Sequence, residues 1–391
     1  MLKTRTQVST TQLSEWKEVM TRQQAVMSAQ RMKIAEQTKE LVRLQSENSE
    51  LLEMTTTPTI TDETTNDVPL VLEASDAPRK SLDDVVGQVE LIDRLRLRIN
   101  GTLLRGGRMG HILLAGPPGY GKTSTSQIIA SEISWPLVQT NGPLLKNPDK
   151  LISIVGAIHE DSCLMIDEIH AIPRDVEETL YQLMEYNELS VVTKGANAQA
   201  ITLRPPALPN ILIIGCTTMP GLMSEPFRDR FSAQFFMSHY STEEITTIVS
   251  RYWDSVNVVH TPDAARIIAL RSKNVPRLAK GLADNAADYL AVLSVTDDDA
   301  SKMTEDVAVA AMERFGIIEG GLNAQDLDIL RALCNNMAPM GLEQLSQLVS
   351  MDQKTLVNAH EPSLVRAGLV ARTPSGRVAT TDAYELLDSL R

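Results

Sequence analysis

Eight consecutive residues, Gly116-Pro117-Pro118-Gly119-Tyr120-Gly121-Lys122-Thr123, have the composition and spacing of a loop that wraps phosphate. Its glycines let backbone N–H groups turn inward, and a helix opening near Lys122 adds positive potential at its N-terminus. Lys122 would reach the β- and γ-phosphates of ATP, and Thr123 would ligate Mg²⁺. The loop follows the apolar run HILLA, which supplies the strand–loop–helix setting that the chemistry needs.

About 45 residues later the apolar run Cys163-Leu164-Met165-Ile166 ends in Asp167-Glu168-Ile169-His170. Carboxylates at the C-terminal end of a parallel strand lie where such sheets bind ligands. Asp167 can hold Mg²⁺ through its water shell, and Glu168 can orient and deprotonate an attacking water. His170 could couple the nucleotide to a neighbouring loop, or simply cap a helix. A third apolar run, Ile211–Gly215, ends in Cys216-Thr217-Thr218. Thr218, or alternatively Thr217, could position water between Glu168 and the γ-phosphate; either could instead cap the turn. Ser224-Glu225-Pro226-Phe227-Arg228-Asp229-Arg230-Phe231 follows. Its two arginines fit a surface salt-bridge helix. In a ring ATPase they fit a cation offered to a neighbour's γ-phosphate, an effect of ~10³–10⁵ in rate in other phosphoryl-transfer systems.

The elements around these residues read as follows. From Arg79 onward short apolar runs alternate with helical stretches, which implies a parallel sheet covered by helices. After about residue 240 helices dominate. Residues 322–391 read as a winged helix, with helices at 324–334, 341–349 and 352–367 and a hairpin from Val370 to Thr380. This module carries six Lys/Arg against eight Asp/Glu, yet Arg372 and Arg377 flank its turn, where a wing could meet DNA phosphates. Protein contact is the other use of such a wing. Before the core, residues 12–53 lack Pro and Gly and read as one long helix. Its heptad seam, Leu13, Trp16, Met20, Met27, Ile34, Leu41, Leu44 and Leu51, is interrupted by Gln23, Gln30, Gln37 and Asn48. It suits a partner-binding or self-associating helix, or a marginal helix with no fixed partner. Residues 55–78 hold five acidic residues and no Lys or Arg, the composition of a flexible linker.

Net charge is −13, which argues against a generally basic nucleic-acid coat and leaves DNA contact to local patches. No apolar run approaches the roughly 18 residues that span a bilayer, so no membrane partner is expected. The N-terminus lacks a signal-peptide core. Cys163, Cys216 and Cys334 lie far apart in apolar stretches without metal-ligand spacing. They are expected to be buried and reduced, which suits a cytoplasmic protein.

Beyond these motifs, the chain resembles the RuvB family of AAA+ branch-migration ATPases over about residues 79–391. The resemblance is carried by GPPGYGKT, CLMIDEIH, GCTT, SEPFRDRF, SLDDVVGQ, NGPLLKNPDKL, VEETLYQLMEYNELSVVTKG and GLVARTPSGRVATTDAYELL. It implies an α/β fold: an AAA+ P-loop parallel sheet (79–238), a helical lid (239–321) and a C-terminal winged helix (322–391). Residues 1–54 and 55–78 would be an accessory helix and linker. The function it implies is ATP-driven translocation of duplex DNA through a homo-oligomeric, hexameric ring, driving branch migration of Holliday junctions. An AAA+ loader or adaptor recruiting a partner through the N-terminal helix is the alternative. By the same resemblance, Gly116 to Thr123 and Arg277 contact nucleotide, Asp167 and Thr123 hold Mg²⁺, and Lys122, Glu168, Thr218 and Arg230 act in hydrolysis. Val85 and Val86 would pack near adenine, with Val85 where the family usually has an aromatic residue. The stretch 187–205 corresponds to the hairpin that meets the junction-binding partner RuvA. Met219 and Ser375 replace residues usually basic in the family, and the tip KGANAQA differs from the usual one.

Overall fold

A computed structural model describes residues 71–72, 81–192, 200–203, 208–296, 301–336 and 338–390. The chain divides into units 1–67 and 68–391, and all described residues belong to the second. The heptad helix, most of the linker and the tip of the 187–205 hairpin lie outside the described residues.

Six strands form the central sheet: β1 (Val71–Leu72), β2 (Ile112–Ala115), β3 (Leu137–Asn141), β4 (Ser162–Asp167), β7 (Ile211–Thr217) and β8 (Ala233–Phe236). Their order is β1-β3-β4-β7-β2-β8. All neighbours run parallel except β1, which pairs antiparallel with β3 through Val71↔Val138 and Leu72↔Leu137. This corrects the expectation that 55–78 is linker throughout. Val71 and Leu72 end an apolar patch, VPLVL, that can join an exposed sheet edge.

Strands β2, β4 and β7 are apolar almost throughout because both faces are covered. Ile112, Leu114, Cys163, Met165, Leu212 and Ile214 face a core built with helices Val89–Arg105 and Lys122–Ile133 and continued into the lid. Leu113, Leu164, Ile166 and Ile213 face a second core with helices Pro148–Gly156 and Arg174–Tyr186. A separate hairpin, β5 (Leu189–Val192) with β6 (Ala200–Leu203), leaves this layer. The lid consists of helices Thr242–Ser255, Pro262–Arg271, Pro276–Thr296 and Glu305–Arg314. Trp253 fills its centre, fully buried, and donates Nε1–H to the Ala283 carbonyl at 3.1 Å.

The winged helix has its own core around Ile329, Leu330, Leu345, Leu356 and Leu364. Helices Ala324–Cys334 and Leu342–Leu348 match expectation, as does the hairpin β9 (Val370–Thr373) with β10 (Gly376–Ala379). The helix expected at 352–367 runs without interruption from Gln353 to Arg366, with a π-turn at Leu356–His360 set between the α-helical Gln353–Thr355 and Glu361–Arg366. Pro362 opens the last piece and has no N–H to return to the preceding turn. A final helix, Thr381–Ser389, went unforeseen. Cys163 and Cys216 are buried, but Cys334 is only partly so, because it ends its helix near the surface. Among the described residues no helix is long and apolar enough to cross a membrane.

Candidate nucleotide site

The phosphate loop joins β2 to the helix that starts at Lys122. Gly116, Gly119 and Gly121 all take positive φ, which a side chain would resist. Lys122 is 6% exposed, and its Nζ donates to the carbonyls of Gly116 at 2.8 Å and Pro117 at 3.0 Å. Its own loop thus satisfies the ammonium. Burial lowers its pKa; Cys216, Glu168 and Asp167 pull the other way, and Arg277 reinforces the lowering. Lys122, Asp167 and Glu168 thus lie within electrostatic reach of one another at the C-terminal ends of β2 and β4. Thr123 is half-buried one residue on.

Asp167 ends β4, and its Oδ1 accepts from the Glu168 N–H at 3.0 Å. Glu168 itself turns left-handed, with φ 46°. This conformation is costly for a residue with a side chain and is held by its surroundings. Gly142, just after β3, is one of them: a Cβ there would collide with the Glu168 carbonyl oxygen. The Gly-Pro after an apolar run is the signal in the sequence that points to Gly142. Thr218 donates its Oγ1–H to Glu168 Oε2 at 3.0 Å. Thr217 instead lies buried, with Oγ1 accepting from the Met219 N–H and 3.0 Å from His170 Nδ1.

Arg277 stands at the start of helix Pro276–Thr296, and its N–H donates to the Gly119 carbonyl at 3.2 Å. The lid is thereby fastened to the phosphate loop. Tyr120, almost fully buried, is hydrogen-bonded to His239 Nδ1 at 2.7 Å. Burial raises its pKa, while the Arg366 guanidinium of the winged module lowers it. Val85 is half-buried against the same core as Tyr120, with Val86 beside it.

Two predicted groups lie elsewhere. Arg230 is 38% exposed, held by Glu185 at 2.6 Å and with Cζ 4.6 Å from the centre of the Tyr181 ring. It lines a cavity with His111, Asn210 and Ser232 at the strands' N-terminal edge, away from its own phosphate loop. Arg372 and Arg377 face each other across the wing, and both bind Glu361 through Nε, at 2.8 and 2.9 Å. Arg377 is mostly buried, whereas Arg372 keeps 54% of its side chain exposed.

Residues 78–237 match the family described as the Holliday junction DNA helicase RuvB P-loop domain. Residues 240–317 match the RuvB AAA lid domain and 319–388 the RuvB C-terminal winged helix domain. The protein named Holliday junction branch migration complex subunit RuvB from Wolbachia sp. subsp. Drosophila simulans (strain wRi) is 38% identical over 308 residues. That alignment covers 79% of this chain and 93% of the relative. The chain belongs to the RuvB family. The RuvB relative from Rhodococcus erythropolis is 39% identical over 319 residues, covering 81% of this chain and 85% of its own length. The solved Thermotoga maritima RuvB Holliday junction branch migration motor superposes with a TM-score of 0.67 at 32% identity. It covers 80% of this chain and 97% of its own. Membership in this P-loop AAA+ ATPase family brings nucleotide binding with it. The RuvB match begins at residue 78, so the stretch 12–53 precedes it.

Proposed function

We propose that this chain is an ATP-driven DNA motor that assembles into a hexameric ring and drives branch migration of Holliday junctions. The observation carrying this reading is the convergence of Lys122, Asp167, Glu168 and Thr218 at one sheet edge, with Arg277 of the lid fastened to Gly119. Residues 79–238 would form the motor domain, 239–321 the lid and 322–391 the DNA-binding module, in the cytoplasm. Gly116 to Gly121 would line the triphosphate, and Val85 and Val86 the base.

The donor set fits Mg²⁺, which takes one or two protein oxygens and completes its shell with phosphate and water. Thr123 and Asp167 would supply those oxygens, and the bound ion would neutralise phosphate charge. Lys122 exchanges its loop carbonyls for phosphate oxygens. Glu168 takes the proton from water, with Thr218 fixing its carboxylate. Arg230 is offered outward to the nucleotide of a neighbouring subunit. The β5–β6 hairpin would meet RuvA, and the wing would meet duplex DNA.

The test is a synthetic four-way junction assayed with ATP, with and without RuvA. Wild type should migrate the branch, Lys122→Ala should fail to bind nucleotide, and Glu168→Gln should bind ATP without turning it over. ATP hydrolysis without branch migration under any of these conditions would favour a loader recruited through residues 12–53.

A further inference from the structure

His170 occupies a position that the roles above leave unexplained. It lies in the 3₁₀ turn Ile169–Ala171 directly after Glu168. Its Nδ1 is 3.2 Å from Glu168 Oε2 and 3.0 Å from Thr217 Oγ1. The ring is 13% exposed and the Glu168 side chain 39%. The Thr217 oxygen is fully buried and already accepts the Met219 N–H.

These neighbours bear on where the ring proton sits. A bare Nδ1 would set its lone pair against a carboxylate oxygen, which is repulsive. A protonated Nδ1 donates to that oxygen, sharing its hydrogen with the Thr217 oxygen. Glu168 Oε2 then receives two donors, Thr218 Oγ1–H and His170 Nδ1–H. Among the described residues the Thr218 hydrogen bond to the Glu168 side chain falls on Oε2, and His170 Nδ1 lies 3.2 Å from that same oxygen, leaving Oε1 open.

We propose that His170 is a positioning residue: with Thr218 it fixes Oε2 of Glu168, so that Oε1 faces the water to be deprotonated. This rests on Glu168 being the base. His170 also ties that carboxylate to Thr217 at the tip of β7, so both acidic strand end and threonine tip move together. Three features make the arrangement specific. The donor comes from a short turn, not a long flexible chain. The carboxylate belongs to a left-handed residue, whose backbone cannot slide freely. Gly142 closes the other side of that residue.

The experiment separates donor from bulk. His170→Phe keeps the ring and loses the donor; His170→Asn places an amide N–H within the same reach. Single-turnover hydrolysis and fluorescent-ATP binding are measured on full-length rings. Removing a group that orients a reacting ligand costs roughly 10–100-fold, and small misplacements cost about as much. His170→Phe should therefore lower the hydrolysis rate roughly 10–100-fold with ATP affinity within about twofold. His170→Asn should recover to within about threefold of wild type. A His170→Phe protein at the wild-type rate overturns the proposal, as does a His170→Asn protein no better than Phe. A second readout needs no variant to fold: ¹⁵N-histidine-labelled wild type should show His170 protonated at Nδ1. The tautomer protonated only at Nε2 would equally reject it. Glu168→Gln is run in parallel. Wild-type hydrolysis there sinks the base assignment itself; an inactive Glu168→Gln beside a fully active His170→Phe sinks this inference alone.

Discussion

The nucleotide cleft and the lid–wing junction both gather charges, but they satisfy them differently. In the cleft, Lys122 leans on loop carbonyls and Glu168 on a threonine hydroxyl. Each partner is neutral, and a phosphate or a water can replace it without stranding a charge. At the junction, Asp326 is completely buried between Lys273 of the lid at 2.8 Å and His360 at 2.7 Å. Glu361, 2% exposed, sits next in sequence to His360 and takes both wing arginines. Burial alone would raise both carboxyls. Lys273 and His360 outweigh it at Asp326, and Arg377 and Arg372 at Glu361, holding each below its ordinary range. Groups that must react are left with exchangeable partners, while groups that must hold are given charged ones.

The sharpest way to break this comparison is at Arg230, a cation whose present partners, Glu185 and Tyr181, are both near the surface. Arg230→Ala should bind ATP nearly normally and hydrolyse it ~10³–10⁵-fold more slowly, by analogy with other arginine fingers. Mixing it with Lys122→Ala protein should restore part of the activity, because some interfaces then pair an intact loop with an intact arginine. If mixed rings form and no ratio restores hydrolysis, the role in trans is rejected or every site must be intact. Next comes the junction. Asp326→Ala strands Lys273 and His360 and should cost about 3–5 kcal/mol, as breaking buried pairs does. Urea unfolding reads this directly, and a loss under about 1 kcal/mol would mean water reaches the pair.

Much of the cleft was legible because its chemistry is local. Glycines, Lys122, Thr123 and the Asp167-Glu168 pair sit at fixed offsets from apolar runs, so spacing alone placed them. The same held for the parallel strands, whose two-sided burial leaves unbroken runs such as ILIIG. What could not be read is long-range. Nothing near Lys273 announces Asp326, 53 residues away, nor does Glu361 announce Arg372 and Arg377. Gly-Pro marks a turn at Gly142, but what the glycine makes room for is long-range: Glu168 arrives from another strand. The π-turn at Leu356–His360 was hidden by helical periodicity that runs through Pro362.

The wing sharpens the comparison from the other side. Arg372 and Arg377 share one carboxylate but differ in exposure, so they should separate by experiment. Arg372→Ala should flatten the dependence of log K on log salt by about one unit, the signature of one lost phosphate contact. Arg377→Ala should instead cost about 1–3 kcal/mol of stability, since Glu361 loses its more buried partner. Equal salt slopes for wild type and Arg372→Ala would assign the wing to protein contact.

The smallest expected effect concerns His111, a half-buried ring whose partners suit the neutral form. Its Nδ1 accepts the Ile213 N–H at 3.0 Å, so the proton sits on Nε2, which faces the Met184 carbonyl at 3.1 Å. Burial lowers its pKa, and the Met184 contact only partly offsets this. A folded-state pKa below the unfolded value of about 6.5 means the unfolded chain takes up the proton first. His111 therefore contributes stability above about pH 6.5 that is lost as pH falls, with a slope of at most about 1.4 kcal/mol per pH unit. The junction carboxyls share this sign, because their folded pKa is also lowered, but they hold their charge when folded and their contribution is lost only as pH falls through the ordinary carboxylate range and below it. Urea unfolding between pH 7.5 and 5.5 should show stability falling, and His111→Gln should lower that slope while starting from a lower stability. Subtracting the two curves removes the other five histidines, which are common to both. Parallel curves would mean that His111 charges in place, with Ile213 giving up its bond before the fold does.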